Sequence, residues 1–195
     1  MQVRLEKKGI RALGIAESFR KDAGRRSILG GVVMRSDLVV DGFVFGYATL
    51  EGDDATDAVL DMFRRLNRND VNVIMLCGAV ISLYNIIDVD KVGEETETPV
   101  ICITFEESEG LEPHIKRRFP QSWKAKTEAY RRLGGREATE LKTGYKIYVR
   151  THGLDQLQAK RTLDKFTLQG AIPEPVRLAR LLAKAKLDAD LMSLK

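Results

Sequence analysis

The chain has 195 residues and a 44% hydrophobic composition, enough for one domain with a full core and too apolar for a disordered segment. Its apolar runs, such as residues 71–79, fall short of the roughly 18 residues that span a bilayer, and the opening Met-Gln-Val-Arg-Leu-Glu-Lys-Lys carries no apolar signal region. The expectation is a soluble cytoplasmic protein with no membrane partner. The net charge is +4, but residues 51–61 hold five acids and no base, whereas residues 111–150 hold eleven Lys or Arg against four Glu. Cations for phosphates beside carboxylates for metal is a pattern of nucleic-acid-processing proteins; solvated helix faces give the same composition.

The first predicted element is a strand over residues 10–17, Ile-Arg-Ala-Leu-Gly-Ile-Ala-Glu, ending in the carboxylate of Glu17. Alternation puts Ile10, Ala12, Gly14 and Ala16 on one face and Leu13, Ile15 and Glu17 on the other. The polar loop 19–27 carries Arg20, Lys21, Arg25 and Arg26 to the same sheet edge as Glu17. Apolar runs over 28–34 and 43–50 follow through connections too short for a crossover helix, so these three strands are expected to be antiparallel. Gly52-Asp53-Asp54-Ala55-Thr56-Asp57 starts a helix with Asp53 or Asp54 as its cap and Ala58, Leu60, Met62, Phe63 and Leu66 on its buried face.

Residues 71–77 are apolar on both faces apart from Asn72, the pattern of a strand covered by helices, and Gly78 ends them. Residues 79–90 fit a short helix poorly and a strand only in part; they are read as a helical turn plus loop. Pro99 introduces a strand over 100–105. Two basic helices over 111–119 and 122–133 are separated by Pro120, and Gly134-Gly135 stops the second. A last strand at 145–150, a helix over 154–166 and a C-terminal helix opening at Pro173-Glu174-Pro175 complete the chain. The long connections into 71–77 and 100–105 set those strands on the free side of the first. The expected architecture is therefore a mixed five-stranded α/β sheet, order 3-2-1-4-5, with helices on both faces, as a single domain over residues 1–195.

Cys77 and Cys102 lie in buried-strand patterns without CxxC spacing and are read as reduced core residues. Two histidines, His114 and His152, form no metal-binding His/Cys cluster, and no phosphate-cradling Gly-rich motif follows any strand, which argues against a dinucleotide enzyme. Oxygen ligands for Mg²⁺ or Mn²⁺ would come from Glu17, Asp53, Asp54 and Asp88, with Glu17, Asp54 and Asp88 as the catalytic set. Against this, Glu17 is aimed by alternation at the face opposite Ala16 unless a bulge turns it back, Asp53 and Asp54 also suit helix capping, and Asp88 suits a polar loop. Lys124 and Arg131, interleaved with Trp123, Lys126 and Tyr130, suit base stacking and backbone contacts or simple core packing. His152, before Gly153 at a strand-to-helix junction, suits a phosphate contact or packing, and Arg177 a phosphate contact or an ion pair with Glu174.

The element order is similar to the ribonuclease H-like arrangement. Gly170-Ala171-Ile172-Pro173-Glu174-Pro175-Val176-Arg177-Leu178-Ala179 resembles the Pro-Glu-Pro-Thr-Arg helix start of endonuclease V, and His152-Gly153 and Thr98-Pro99-Val100-Ile101 resemble stretches of the same family. Over residues 10–183 the likeness is to an uncharacterised archaeal family distantly related to endonuclease V, with a Gly-Ile-Asp-Asp first strand and a Gly-x-Asp-Ala-Thr helix start. Here these read Gly14-Ile15-Ala16-Glu17 and Gly52-Asp53-Asp54-Ala55-Thr56. The resemblance implies phosphodiester cleavage near inosine or deoxyinosine by a divalent metal on three carboxylates, but the first-strand aspartate falls on Ala16 and the fourth-strand aspartate on Cys77. The Pro-Tyr-x-Pro wedge has no counterpart between Tyr47 and Gly52. The expected function is a DNA- or RNA-binding protein with a degenerate carboxylate site and weak or absent nuclease activity. A divergent Mg- or Mn-dependent endonuclease and a non-enzymatic protein-interaction scaffold are the alternatives.

Overall fold

The computed structural model describes residues 9–22, 24–107 and 110–193; the reading of residues 1–8 as lacking a signal region, and parts of the loops at 19–27 and 106–110, lie outside them. Strands β1 (Arg11–Ser18), β2 (Arg26–Arg35) and β3 (Val40–Thr49) form the expected antiparallel meander. Helix α1 (Ala55–Leu66) returns the chain to β4 (Val73–Cys77), which pairs parallel to β1. Residues 79–87 are not a helical turn. They form a small hairpin, β5 (Val80–Ile81) and β6 (Asn85–Ile86), followed by helix α2 (Val89–Thr96). Strand β7 (Val100–Thr104) then pairs parallel to β4.

Helices α3 (Glu112–Arg118) and α4 (Trp123–Arg132) lead to β8 (Glu137–Glu140) and β9 (Lys146–His152), and α5 (Gln156–Phe166) and α6 (Glu174–Met192) close the chain. The expected five-strand order is present as β3-β2-β1-β4-β7. Strands β9 and β8 extend it antiparallel to seven strands, so β4 rather than β1 is central. The register also explains why β8 was missed: Glu-Ala-Thr-Glu buries only Thr139, and pairing with β9 rather than an apolar pattern makes it a strand.

Strands β1, β2, β4 and β7 each contribute to both layers. Leu13 and Ile15 join Leu29, Val33, Ile74, Leu76, Val100 and Cys102 in a core that α1 and α2 cover with Val59, Met62 and Val92. The opposite face joins Ile10, Ala12, Val73, Met75, Ile101 and Ile103 to Leu163, Phe166 and Val176 of α5 and α6. Helix α6 lies close on β1 and β2 because Gly14 and Gly30 present no side chain. A Cβ at Gly14 would stand 2.3 Å from the Pro175 carbonyl carbon, and one at Gly30 would stand 2.4 Å from the Ala179 carbonyl oxygen.

Candidate functional site

The carboxyl ends of β1, β4 and β7 share one end of the sheet, the end at which open α/β sheets place their ligands. Glu17 arrives there in unbroken register: Ala16 pairs with Gly30, Glu17 with Leu29 and Ser18 with Ile28, with no bulge in the β1–β2 ladder. Its carboxylate therefore points to the α1 side, where it accepts from the Ser82 backbone N–H at 2.8 Å and from the Ser82 hydroxyl at 2.9 Å. Ser27 extends this network through its hydroxyl contact with Ser82. Burial raises the Glu17 pKa above its ordinary value, and the Ser82 hydrogen bonds partly oppose that rise.

Ala16 points the other way. It is 3% exposed among Val32 and Ala179, with the partly buried Cys77, Leu178 and Leu182 packed against it. The register pairs Ile15 with Leu76, so the next residues, Ala16 and Cys77, are neighbours on adjacent parallel strands. The two positions at which the resemblance expects metal-binding aspartates thus share one apolar cluster. A methyl group offers an ion no donor, and a thiol is a poor match for a hard cation. Burial also raises the Cys77 pKa, which keeps the thiol protonated, while Cys102 is pushed up to about 12. The metal implied by the fold does not fit these residues.

The other expected ligands are engaged elsewhere. Asp54 precedes α1 without capping it. Its carboxylate accepts from the Thr49 N–H at 2.9 Å, the Thr49 hydroxyl at 2.6 Å and the Asn85 amide at 2.6 Å, while Asn85 Oδ1 takes the free Ala55 N–H of the first turn. Burial pushes the Asp54 pKa up, but the Thr49 and Asn85 hydrogen bonds outweigh it and hold the carboxylate below its ordinary range. Asp53 is exposed and pairs at 2.6 Å with the buried ammonium of Lys126. Asp88 caps α2 by accepting from the Lys91 N–H at 3.0 Å. Among the described residues, no group of three or more His, Cys, Asp or Glu is disposed to hold a metal ion.

The expected nucleic-acid contacts divide by location. The Leu50 N–H donates to the Arg25 carbonyl at 2.8 Å, and Arg118 reaches the neighbouring Glu51 at 2.6 Å. The basic loop carrying Arg25 and the basic helix α3 therefore meet at the same end of the sheet. Arg20, next to Asp22, lies in that loop with the exposed Lys21, and the exposed Arg26 opens β2 directly after it. Lys124 stands 6.0 Å from the Trp123 ring centroid, with Lys116 at 5.2 Å. Arg131 is held by Glu112 in a two-pronged pair, and Arg177 binds the buried Glu174 at 2.5 Å. His152 pairs with Val100 at the amino end of β7, so it stands at the opposite end of the sheet from Glu17. There its Nδ1 lies 2.9 Å from Asp90 and its ring packs on Gly93. Of the two roles considered for His152, these contacts are those of a packed and paired side chain.

The run at 79–90, expected as a helical turn plus loop, supplies the residues that hold this end of the sheet together. Ser82, Leu83 and Tyr84 all adopt left-handed φ, at 47°, 56° and 72°. This conformation costs about 1–2 kcal/mol for each L-residue, and it persists only where surrounding contacts enforce it. Glu17 and Ser27 hold Ser82, the Glu51 N–H donates to the Ser82 carbonyl at 2.7 Å, and Asn85 bonds Asp54 and the Thr49 carbonyl. Lys126 reaches the Tyr84 carbonyl at 3.3 Å while its ammonium sits 4.8 Å from the Phe119 ring centroid. A run that suited neither helix nor strand was the sequence-level signal.

This arrangement places the chain in the endonuclease V-like class of folds. Human ENDOV superposes with a TM-score of 0.64 at 15% identity over 94% of this chain and 86% of that one. Ciona intestinalis endonuclease V, solved in complex with an inosine-containing DNA, gives 0.62 at 15% identity over 93% and 87%. An Archaeoglobus fulgidus protein of unknown function gives 0.77 at 29% identity, covering 90% of this chain and 97% of that one. The chain belongs to the endonuclease dU family, whose model matches residues 8–187. A UPF0215 protein of Pyrobaculum calidifontis is 41% identical over 88% of this chain and 93% of its own length.

Proposed function

We propose that this protein binds DNA or RNA through the basic carboxyl end of its sheet and is a weak nuclease or none. The observation that carries the second half is the apolar cluster joining Ala16 to Cys77, which leaves both aspartate positions of the resemblance without an oxygen donor. The meeting of Arg25 and Arg118 at one sheet end, with Arg20 and Lys21 in the same loop and Arg26 at the start of β2, supports the first half. Arg131 of α4 pairs with Glu112 of α3, and Lys124 and Trp123 lie on the same basic helix, whereas Arg177 and His152 serve structural pairs. The same reading takes the chain as one domain acting in the cytoplasm.

The family description, endonuclease dU, favours a second reading: a Mg- or Mn-dependent endonuclease with ligands drawn from Glu17, Asp53, Asp54 and Asp88. Cleavage assays with Mg²⁺ or Mn²⁺ on deoxyuridine-containing, inosine-containing and unmodified oligonucleotides separate the two. The expected outcome is binding to all three with little or no product. Multiple-turnover cleavage abolished by Glu17→Gln or Asp88→Asn overturns the first reading in favour of the second.

A further inference from the structure

We propose that the tip of the β5–β6 hairpin, Leu83 and Tyr84, contacts unpaired nucleobases, and that Glu17 is a positioning residue that fixes this tip. The inference rests on the nucleic-acid reading above and assigns the part of the surface that touches bases rather than phosphates. Ser82 and Asn85 at the base of the turn are fully buried, whereas Leu83 and Tyr84 between them stay partly exposed. Apolar side chains left at the tip of a strained, firmly anchored turn contribute little to the core. The turn is held from four directions: Glu17 on β1, the Glu51 backbone, Asp54 through Asn85, and Lys126 on α4.

The surroundings set the chemistry of the partner. The Tyr84 ring meets Phe119 edge-to-face at 5.7 Å, and Phe119 follows the basic end of α3, where Lys116, Arg117 and Arg118 lie. Arg118 in turn binds Glu51, whose own N–H holds the Ser82 carbonyl. An aromatic ring beside guanidinium groups matches a single strand, whose phosphates pair with cations while splayed bases stack. A duplex keeps its bases stacked on one another and offers this tip nothing beyond its backbone. Glu17 touches no part of such a ligand. It acts through Ser82, and this gives its burial a role that the metal reading does not.

Fluorescence anisotropy with a labelled oligothymidylate and with a labelled duplex, each at several salt concentrations, tests the assignment. Tyr84→Ala is expected to weaken single-strand binding by about 5- to 150-fold, the range for loss of one stacked base, with the salt slope and the duplex affinity unchanged. Tyr84→Phe restores native affinity. Glu17→Ala, where it folds, weakens the single strand to a similar degree, and the double variant is no weaker than either single one. If Glu17→Ala does not fold, the Tyr84 variants decide alone. Native single-strand affinity in Tyr84→Ala, alongside a loss in Arg25→Ala and Arg118→Ala, overturns the hairpin assignment and leaves nucleic-acid binding intact. An equal loss for duplex and single strand in Tyr84→Ala also overturns it, because that marks a packing defect. Failure of the native protein to bind either ligand at low salt removes the underlying reading instead.

Discussion

Replacing Ala16 and Cys77 together by aspartate sets two carboxylates facing the same way from adjacent parallel strands, whose backbones run about 4.8 Å apart. Without metal this buries like charges in an apolar cluster and lowers stability by about 3 kcal/mol or more. Mn²⁺ is expected to raise the melting temperature of this double variant and leave the native protein unchanged. An equal response in both contradicts the placement of the lost site. Asp54→Ala removes the acceptor for the Thr49 N–H and the Asn85 amide and is expected to cost on the order of 3 kcal/mol by urea denaturation. Glu17 differs in sign from Asp54. Because its folded pKa lies above the ordinary 4.5, the unfolded chain releases the proton first as pH rises, and stability falls through the window just above 4.5 before levelling. Glu17→Gln, which cannot ionise, removes that fall, whereas the Asp54 contribution is lost as pH drops below its ordinary 3.8. Urea midpoints measured across about pH 3 to 7 for the native chain and both variants check the two signs.

At the scale of elements, the packing of α6 depends on the two glycines beneath it. Gly14→Ala and Gly30→Ala are each expected to lower stability by about 3 kcal/mol, because the added methyl meets backbone atoms that cannot rotate away. At Gly42 the nearest atom is the far end of the Arg68 side chain at 3.3 Å, so Gly42→Ala is the mild control. Strand β3 forms one edge of the sheet, and α1 with the turn after it blunts that edge: Arg65 donates to the Phe45 carbonyl at 2.5 Å and Arg68 to the Asp41 carbonyl at 2.6 Å. With Phe43 and Tyr47 exposed on that strand, Arg65→Ala/Arg68→Ala is expected to form larger species than the native chain in sedimentation velocity runs at the same concentration. The meander and the parallel strands were legible because their apolar periods and connection lengths admit few topologies. The β5–β6 hairpin and β8 were not, since long-range hydrogen bonds rather than local pattern create both.

Across the whole molecule, the sequence drew attention to a set of carboxylates and could not say where they point. Glu17, Asp54 and Asp88 lie in loops or at strand ends, where tertiary partners fix direction: Ser82 for the first, Thr49 and Asn85 for the second, the α2 backbone for the third. The separation of His152 from Glu17 likewise became visible only once β9 was paired with β7. The charge distribution was more informative, because loops 19–27 and the α3–α4 segment carry their cations wherever the chain places them, and the fold brings both to one end. Binding there is expected to weaken with salt, log K falling by about 0.9 per log unit for each duplex phosphate neutralised. The most direct measurement is the anisotropy of an end-labelled, deoxyuridine-containing strand followed for hours after mixing with the native protein in low salt and Mn²⁺. A rise to a steady plateau is the predicted result. No rise, or a rise that decays to the value of a cut fragment, contradicts it.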